Sequence, residues 1–379
     1  MLEFILLTVF ILLLIHYLVF LSIIYKGLSK LNTADSSYQI KDEFVSVIIP
    51  FRNESENILE SLKSIESQNY PEDKFEVIYV NDASTDDSVE ILEKNKSKKN
   101  IKIISVPYLY SINAHKKRAI RYGIENSVGE IIVTTDADCF HNSEWLISML
   151  QNFDEETAFV SGPVEIIEGD NFFSKFEEIE FTGLILTGAG LIGAGKPTIC
   201  NGANIAYRKK VFKEVGGFKD HLKLSSGDDE LLMQKIAAET KYKIKFSLNQ
   251  KSIVRTLNSK NIRDFYQQRK RWASKGLFYN DKSLILKLVL IYFYYIGLFI
   301  QLFLFYCLSC SFLVTLSVSI LCKIIFEFRI LKKGKELLFP RLSIQSIIFA
   351  EFFQTIYLVV VGYTGMFGNF LWKERKIKR

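Results

Sequence analysis

The sequence has 379 residues, enough for one large domain or two ordinary ones, and its 49% hydrophobic and 14% aromatic content is high for a soluble chain. The net charge of +6 gathers beside apolar segments, in Lys323 to Lys335 and Lys373 to Arg379, which suits lipid headgroups and topology signals and argues against a nucleic-acid interface. Five cysteines (Cys139, Cys200, Cys307, Cys310, Cys322) are too few and too scattered for a disulfide framework, so a reducing compartment is expected, and the Cys307/Cys310 spacing has no second pair to complete a metal site.

In chain order, Phe4 to Ile24 is apolar almost throughout and long enough to cross a bilayer, which assigns residues 1–25 to a transmembrane helix. Met1-Leu2-Glu3 offers no basic start and Tyr25-Lys26 no small-residue cleavage site, so the segment reads as a retained anchor. His16 within it reads as a packed side chain. Lys26, Lys30 and Lys41 follow the helix and no Lys or Arg precedes it, which by the positive-inside rule places the next domain in the cytoplasm, after a linker over 26–43.

From Phe44 the pattern changes to short apolar runs alternating with helix-like stretches, the signature of strand-helix units around a parallel sheet. Phe44 to Ile49 reads as a strand stopped by Pro50, and Glu54 to Gln68 as a helix with apolar Ile58, Leu59, Leu62 and Ile65. Phe75 to Val80 is a second strand. Asp82 just beyond it lies where open α/β sheets bind ligands, and Ser84 is placed to cap the following helix. Ile101 to Val106 is a third strand, and Asn113 to Glu125 a helix whose Lys116, Lys117 and Arg118 either face a diphosphate or form a solvated face. The fourth strand, Glu130 to Val133, delivers Asp136 and Asp138. Strand alternation would point both carboxylates to one face, a pair suited to Mg2+ or Mn2+ carrying substrate phosphates; the alternative is a solvated turn.

Three segments, Val47 to Glu54, Val80 to Asp86 and Thr135 to Asp138, resemble the opening motifs of family-2 inverting glycosyltransferases of the GT-A fold. The resemblance implies an α/β fold, a mixed and mostly parallel sheet flanked by helices, joined here to transmembrane α-helices. It implies a UDP- or GDP-linked sugar donor held by Pro50, Glu54, Asp82, Lys116 and Asp136. Asp82 would contact the base, Lys116 the diphosphate and Asp136 the nucleotide, with Asp136 and Asp138 serving a Mg2+ or Mn2+ ion. His115 departs from the family, which commonly has Gly before that lysine.

Further along, Phe172 to Ile199 is too broken by Gly to be a convincing span and reads as a helix followed by a mobile loop. Cys200 to Asn204 and Gly216-Gly217-Phe218 resemble acceptor-side motifs. Ser226 to Leu232 holds an acidic cluster at a helix start. Taken alone it complements the helix dipole; in the family's order it resembles the catalytic acidic pair, with Asp228 on the acceptor side and Asp229 as the base that takes the acceptor hydroxyl's proton. Gln268-Arg269-Lys270-Arg271-Trp272 fits Gln-x-x-Arg-Trp, which in membrane-embedded members of the family caps the acceptor channel. It implies acceptor contacts from Gln268, Arg271 and Trp272; without the family, it would be a basic amphipathic helix on the membrane surface.

The catalytic domain is thus expected over 44–280, two spans over 284–328, a basic loop over 329–341, a transmembrane or partly interfacial helix over 342–371 and a basic tail over 372–379. Four crossings would return that basic tail to the outside, against the positive-inside rule, so one assignment conflicts with the rest. The expected activity is metal-dependent sugar transfer, with inversion, to a lipid, lipid-linked or glycan acceptor at the cytoplasmic membrane face. The alternatives are a processive polysaccharide synthase subunit, a nucleotidyltransferase, whose Gly-rich loop is replaced here by Pro50 to Glu54, and a non-catalytic sugar-nucleotide sensor.

Overall fold

The structure is a computed structural model describing residues 1–32, 43–108, 115–167, 169, 171–219, 227, 229–279, 281–343, 347–367, 370–372 and 375–377. Lys41, Asn113, Asp228 and the outer residues of the basic tail, all named above, lie outside the described residues.

The elements run α1 (Leu2–Lys30), β1 (Val45–Phe51), α2 (Ile58–Glu66), β2 (Phe75–Asn81), α3 (Ser88–Asn95), β3 (Ile101–Ser105), α4 (His115–Glu125), β4 (Ile131–Thr134), β5 (Cys139–His141), α5 (Trp145–Leu150), β6 (Thr157–Ser161) and β7 (Val164–Ile166). They continue with α6 (Phe172–Gly193), β8 (Ile205–Arg208), α7 (Lys209–Glu214), α8 (Glu230–Glu239), β9 (Lys243–Phe246), β10 (Val254–Thr256), α9 (Ile262–Ala273), α10 (Lys282–Cys307), α11 (Ser311–Leu337), α12 (Ile347–Phe367) and the hairpin strands β11 (Phe370–Trp372) and β12 (Arg375–Ile377). The main sheet is ordered β3-β2-β1-β4-β8-β6-β9. Its first four strands are parallel, while β8 runs antiparallel to both β4 and β6. A second sheet, β5-β10-β7, lies beyond the carboxyl end of β4. Strands β1, β2 and β4 are buried along their whole length, as their mostly apolar runs require in a sheet covered on both faces.

Several sequence expectations change. Pro50 does not stop β1, which continues to Phe51. Thr135 N–H donates to the Ile48 carbonyl, so the backbone of Ile48, and of Pro50 two residues on, faces β4; β4 ends at Thr134, and the missing Pro50 N–H therefore leaves no ladder bond unmade. Ser84 does not cap α3, which starts at Ser88; its hydroxyl instead accepts from the Asn53 N–H and ties two strand-end loops together. Asp136 and Asp138 lie past the end of β4 in a turn, so strand alternation does not aim them.

The helices also differ. α1 runs to Lys30, beyond the expected 25, because Ile24, Gly27 and Leu28 are buried; a Cβ on Gly27 would sit 1.8 Å from the Gly190 carbonyl oxygen. The glycines of 172–193 therefore do not break α6: Gly190 and Gly193 let the α1 and α6 backbones touch, as small residues do where helices cross closely. α11 continues through Leu337 rather than yielding a basic loop from 329, since Ile330, Leu331 and Gly334 are buried, Gly334 beneath Leu186 of α6.

Among the described residues three helices, α1, α10 and α11, are long and apolar enough to cross a membrane, and α12 carries a shorter apolar stretch, Phe353–Met366. α10 and α11 form a hairpin around residues 308–310. Charged groups inside the bundle pair with one another: Lys323 of α11 bridges Glu327 at 3.2 Å and also meets Glu351 of α12, and Tyr17 of α1 donates to Glu327 at 2.5 Å. Such pairing keeps ionisable groups tolerable among membrane helices.

Candidate active site

One continuous cavity of about 1370 Å³ begins at the carboxyl ends of β1, β2 and β4 and runs past the starts of α8 and α9 to the membrane helices α10 and α12. Pro50, Glu54, Asp82, Lys116, Asp136, Asp138, Asp229, Gln268, Arg271 and Trp272 all line it. The structure thus brings together every proposed site residue except Asp228, which lies outside the described residues.

The donor end rests on two loops that hold each other. Asn53 (φ 50°) and Ala83 (φ 57°) both adopt the left-handed region, which costs a non-glycine residue about 1 kcal/mol. The compensation is local: Arg52 donates to the Asp82 carbonyl at 2.8 Å and to the Ala83 carbonyl, and Thr85 N–H donates to the Asn53 side chain at 2.9 Å. Asp82 is 2% exposed and its carboxylate accepts from Arg118. The basic run of α4 is therefore no solvated face: Arg118 pairs with Asp82, Lys117 is 1% exposed, and Lys116 reaches Asp136 at 2.5 Å.

Asp136 and Asp138 flank buried Ala137 and supply two carboxylates to the cavity. Mg2+ or Mn2+ takes few protein ligands when substrate phosphates and water complete its shell, so a two-carboxylate donor set fits such an ion. Among the described residues no group of three or more His, Cys, Asp or Glu side chains forms a preassembled cage. Lys116 pairs with Asp136, so the charge at this end of the cavity is already partly balanced.

Asp229 is the N-cap of α8, whose Leu231, Leu232, Met233 and Ile236 are buried, so packing of that helix fixes the carboxylate at the cavity wall. Its two oxygens accept from the Gly202 N–H at 2.9 Å and the Glu230 N–H at 2.7 Å, and the Lys275 ammonium lies 3.7 Å away. Burial alone would raise this carboxyl; the Lys275 ammonium, the Glu230 N–H and the Lys116 ammonium outweigh it and hold Asp229 below the usual carboxylate range. Burial pushes the neighbouring Glu230 upward despite Lys275 at 3.1 Å and the Tyr279 hydroxyl at 2.7 Å. The two adjacent carboxyls thus have opposite tendencies, with Asp229 the one kept ready to accept a proton.

The Trp272 indole does not offer an open face on both sides. The Arg269 guanidinium stacks on it 4.4 Å from the ring centre, and Phe181 of α6 packs against it with ring centres 6.0 Å apart. Arg269 is 2% exposed and pairs with Glu180 of α6 at 2.5 Å, while the other Glu180 oxygen accepts from Tyr357 of α12 at 2.7 Å. Sequence reasoning missed Glu180, Arg269, Lys275 and Tyr279. Lys275 and Tyr279 had one available signal, their place just after the Gln268 to Trp272 run; Glu180 had none, since an isolated acid in an apolar helix names no partner.

With this geometry in view, comparison with known proteins is informative. Residues 46–216 match the model of the family described as glycosyl transferase family 2. The poly-β-1,6-N-acetyl-D-glucosamine synthase of Staphylococcus epidermidis is 26% identical over 263 residues, covering 66% of this chain and 58% of that protein. The glycosyltransferase AglE of Haloferax volcanii is 31% identical over 189 residues, covering 49% of this chain and 59% of that one. The chain thus spans less than two thirds of either relative's length. A solved mannosyltransferase from Pyrobaculum calidifontis, in complex with GDP-mannose and Mn2+, superposes with a TM-score of 0.60 at 18% identity over 96% of this chain and 99% of that one, which establishes a shared GT-A fold. The chain thus carries a glycosyl transferase family 2 domain over residues 46–216, and three of its described helices are long and apolar enough to cross a membrane.

Proposed function

We propose that this enzyme transfers a sugar, with inversion, from a UDP- or GDP-linked donor to a lipid or lipid-linked acceptor at the cytoplasmic membrane face. One observation carries the acceptor class: the cavity that holds the acid pair and Asp229 continues without interruption between α10 and α12, past Leu288, Tyr292, Leu358 and Val361. An acceptor whose reactive group meets Asp229 could keep its apolar body in that arm.

In this reading Pro50, Glu54 and Asp82 hold the nucleoside, and Lys116 and Asp136 serve the diphosphate side. A Mg2+ or Mn2+ ion held at Asp138 and Asp136 would neutralise the charge that builds on the leaving diphosphate. Asp229 takes the proton from the acceptor hydroxyl as that oxygen attacks the anomeric carbon from the face opposite the diphosphate, so the configuration inverts. Asp228, Gln268, Arg271 and Trp272 shape the acceptor side. The Mn2+ and GDP-mannose named for the Pyrobaculum structure favour both a metal and a nucleotide-sugar donor. If α12 lies at the interface while α1, α10 and α11 cross, the tail returns to the catalytic domain's side and the conflict with the positive-inside rule disappears.

Membranes holding the protein, incubated with radiolabelled UDP-glucose, UDP-N-acetylglucosamine and GDP-mannose, should yield label that partitions into organic solvent. Label retained in a large aqueous polymer would favour the second reading, a processive synthase, for which the Staphylococcus relative is the argument. Absence of sugar transfer from every donor would remove both.

A further inference from the structure

The base is held by more than its own helix. Lys275 belongs to the short connector between α9, which carries the Gln268 to Trp272 run, and α10, the first of the membrane helix pair. From there its ammonium reaches back to the start of α8, 3.1 Å from Glu230 and 3.7 Å from Asp229, and it is only 7% exposed. Tyr279, four residues along the same connector, donates to the second Glu230 oxygen at 2.7 Å and is itself buried.

A cation beside these two carboxyls meets a specific need. Glu230 is buried and Asp229 part-buried at the cavity wall, where they repel each other with little water nearby, conditions that favour the protonated form and work against a general base. The backbone N–H groups of Gly202 and Glu230 orient Asp229, yet they carry no net charge. Among the described residues, besides Glu230 and Tyr279, the charged or titratable groups facing the cluster are Lys116 of α4, paired with Asp136 at 2.5 Å, and Cys200, which faces Tyr279. Lys275 is the cation that touches both carboxyls.

We propose that Lys275 is the positioning residue of the base: its ammonium, delivered by the connector into the membrane helices, keeps Asp229 ionised and seated for proton abstraction. The inference deepens the assignment of Asp229 as base and rests on it for its catalytic meaning. Its consequence is that the seating of α10 sets the working state of the base. A shift of α10 that withdrew the connector would switch off proton abstraction without touching the donor end.

The test is direct titration of Asp229 in the full chain. Protein labelled with [4-13C]aspartate, in lipid nanodiscs, gives a carboxyl resonance assigned by its absence in Asp229→Asn. In Lys275→Met the midpoint of that resonance should rise by about one unit or more, a tenfold or larger change in proton affinity. Lys275→Arg should restore the wild-type midpoint, and Tyr279→Phe, which leaves the ammonium in place, should not raise it. If Lys275→Met does not fold, Lys275→Gln keeps the hydrogen bonding without the charge and must show the same rise. A midpoint unchanged in the neutral variants, or equally raised in Lys275→Arg, overturns the proposal. Rates measured with whichever labelled donor the wild type consumes separate this from the broader assignment. If no donor is consumed the transferase scheme fails, while the titration still decides what Lys275 does.

Discussion

The two ends of the cavity are built differently. At the donor end, charges are paired between neighbouring strand-helix units: Arg118 reaches Asp82 across 36 positions, and both come from one half of the sheet. At the membrane end the pairs join helices distant in sequence: Arg269 to Glu180 spans 89 positions and Tyr357 to Glu180 spans 177. On the proposed reading, the first arrangement would let one domain prepare a nucleotide site alone. The second would make the acceptor side depend on how the helices assemble, so damage there should separate acceptor use from donor use.

Substitutions can break or sharpen that contrast. The largest effect is expected from Asp138→Ala, which removes one of the two carboxylates proposed to hold the cation; donor affinity should collapse, and transfer and donor hydrolysis should vanish together. Full activity in the presence of a chelator would refute the metal assignment. Next is Asp229→Asn, which keeps the size and one of the two backbone hydrogen bonds but cannot accept the proton. Transfer should fall by roughly two to four orders of magnitude with nucleotide binding retained, as read by titration with UDP or GDP. Near-normal transfer would move the base to Glu230 or Asp228.

Glu180→Gln tests the helix-to-helix pairing. It leaves the buried Arg269 guanidinium with Glu177 at 3.8 Å as its remaining acidic partner, and should cost about 3 kcal/mol, seen as a lower melting temperature. A melt unchanged by this substitution would mean that the pair does not organise the membrane end. The smallest effect is expected from Trp272→Ala, where the ratio of transfer to hydrolysis should drop by about tenfold because water needs no acceptor platform. Equal losses in both rates would make Trp272 a support for Arg269 and Phe181 rather than an acceptor contact.

How far the sequence alone reaches follows the same division. Alternating apolar runs exposed the parallel half of the sheet, with Asp82, Asp136 and Asp138 just past strand ends and Lys116 in the first turn of α4, where a short-range pattern carries the message. The run Gln268 to Trp272 was visible as a motif, but not the burial of Arg269 against Glu180, because tertiary pairing leaves no periodicity. Pro50 misled because its effect depends on whether β4 still runs beside it. The glycines of α6 read in the sequence only as weakening a membrane span; that they let α1 approach its backbone becomes visible only once both helices are in place.

The claim that both ends serve one reaction is tested most directly by blocking the membrane arm while leaving the donor end intact. Val361 of α12 is buried and lines that arm. In a folded Val361→Trp variant the added bulk should abolish sugar transfer to the membrane acceptor while donor hydrolysis stays within about twofold of wild type. Unimpaired transfer, or equal loss of transfer and hydrolysis, would contradict an acceptor route between α10 and α12.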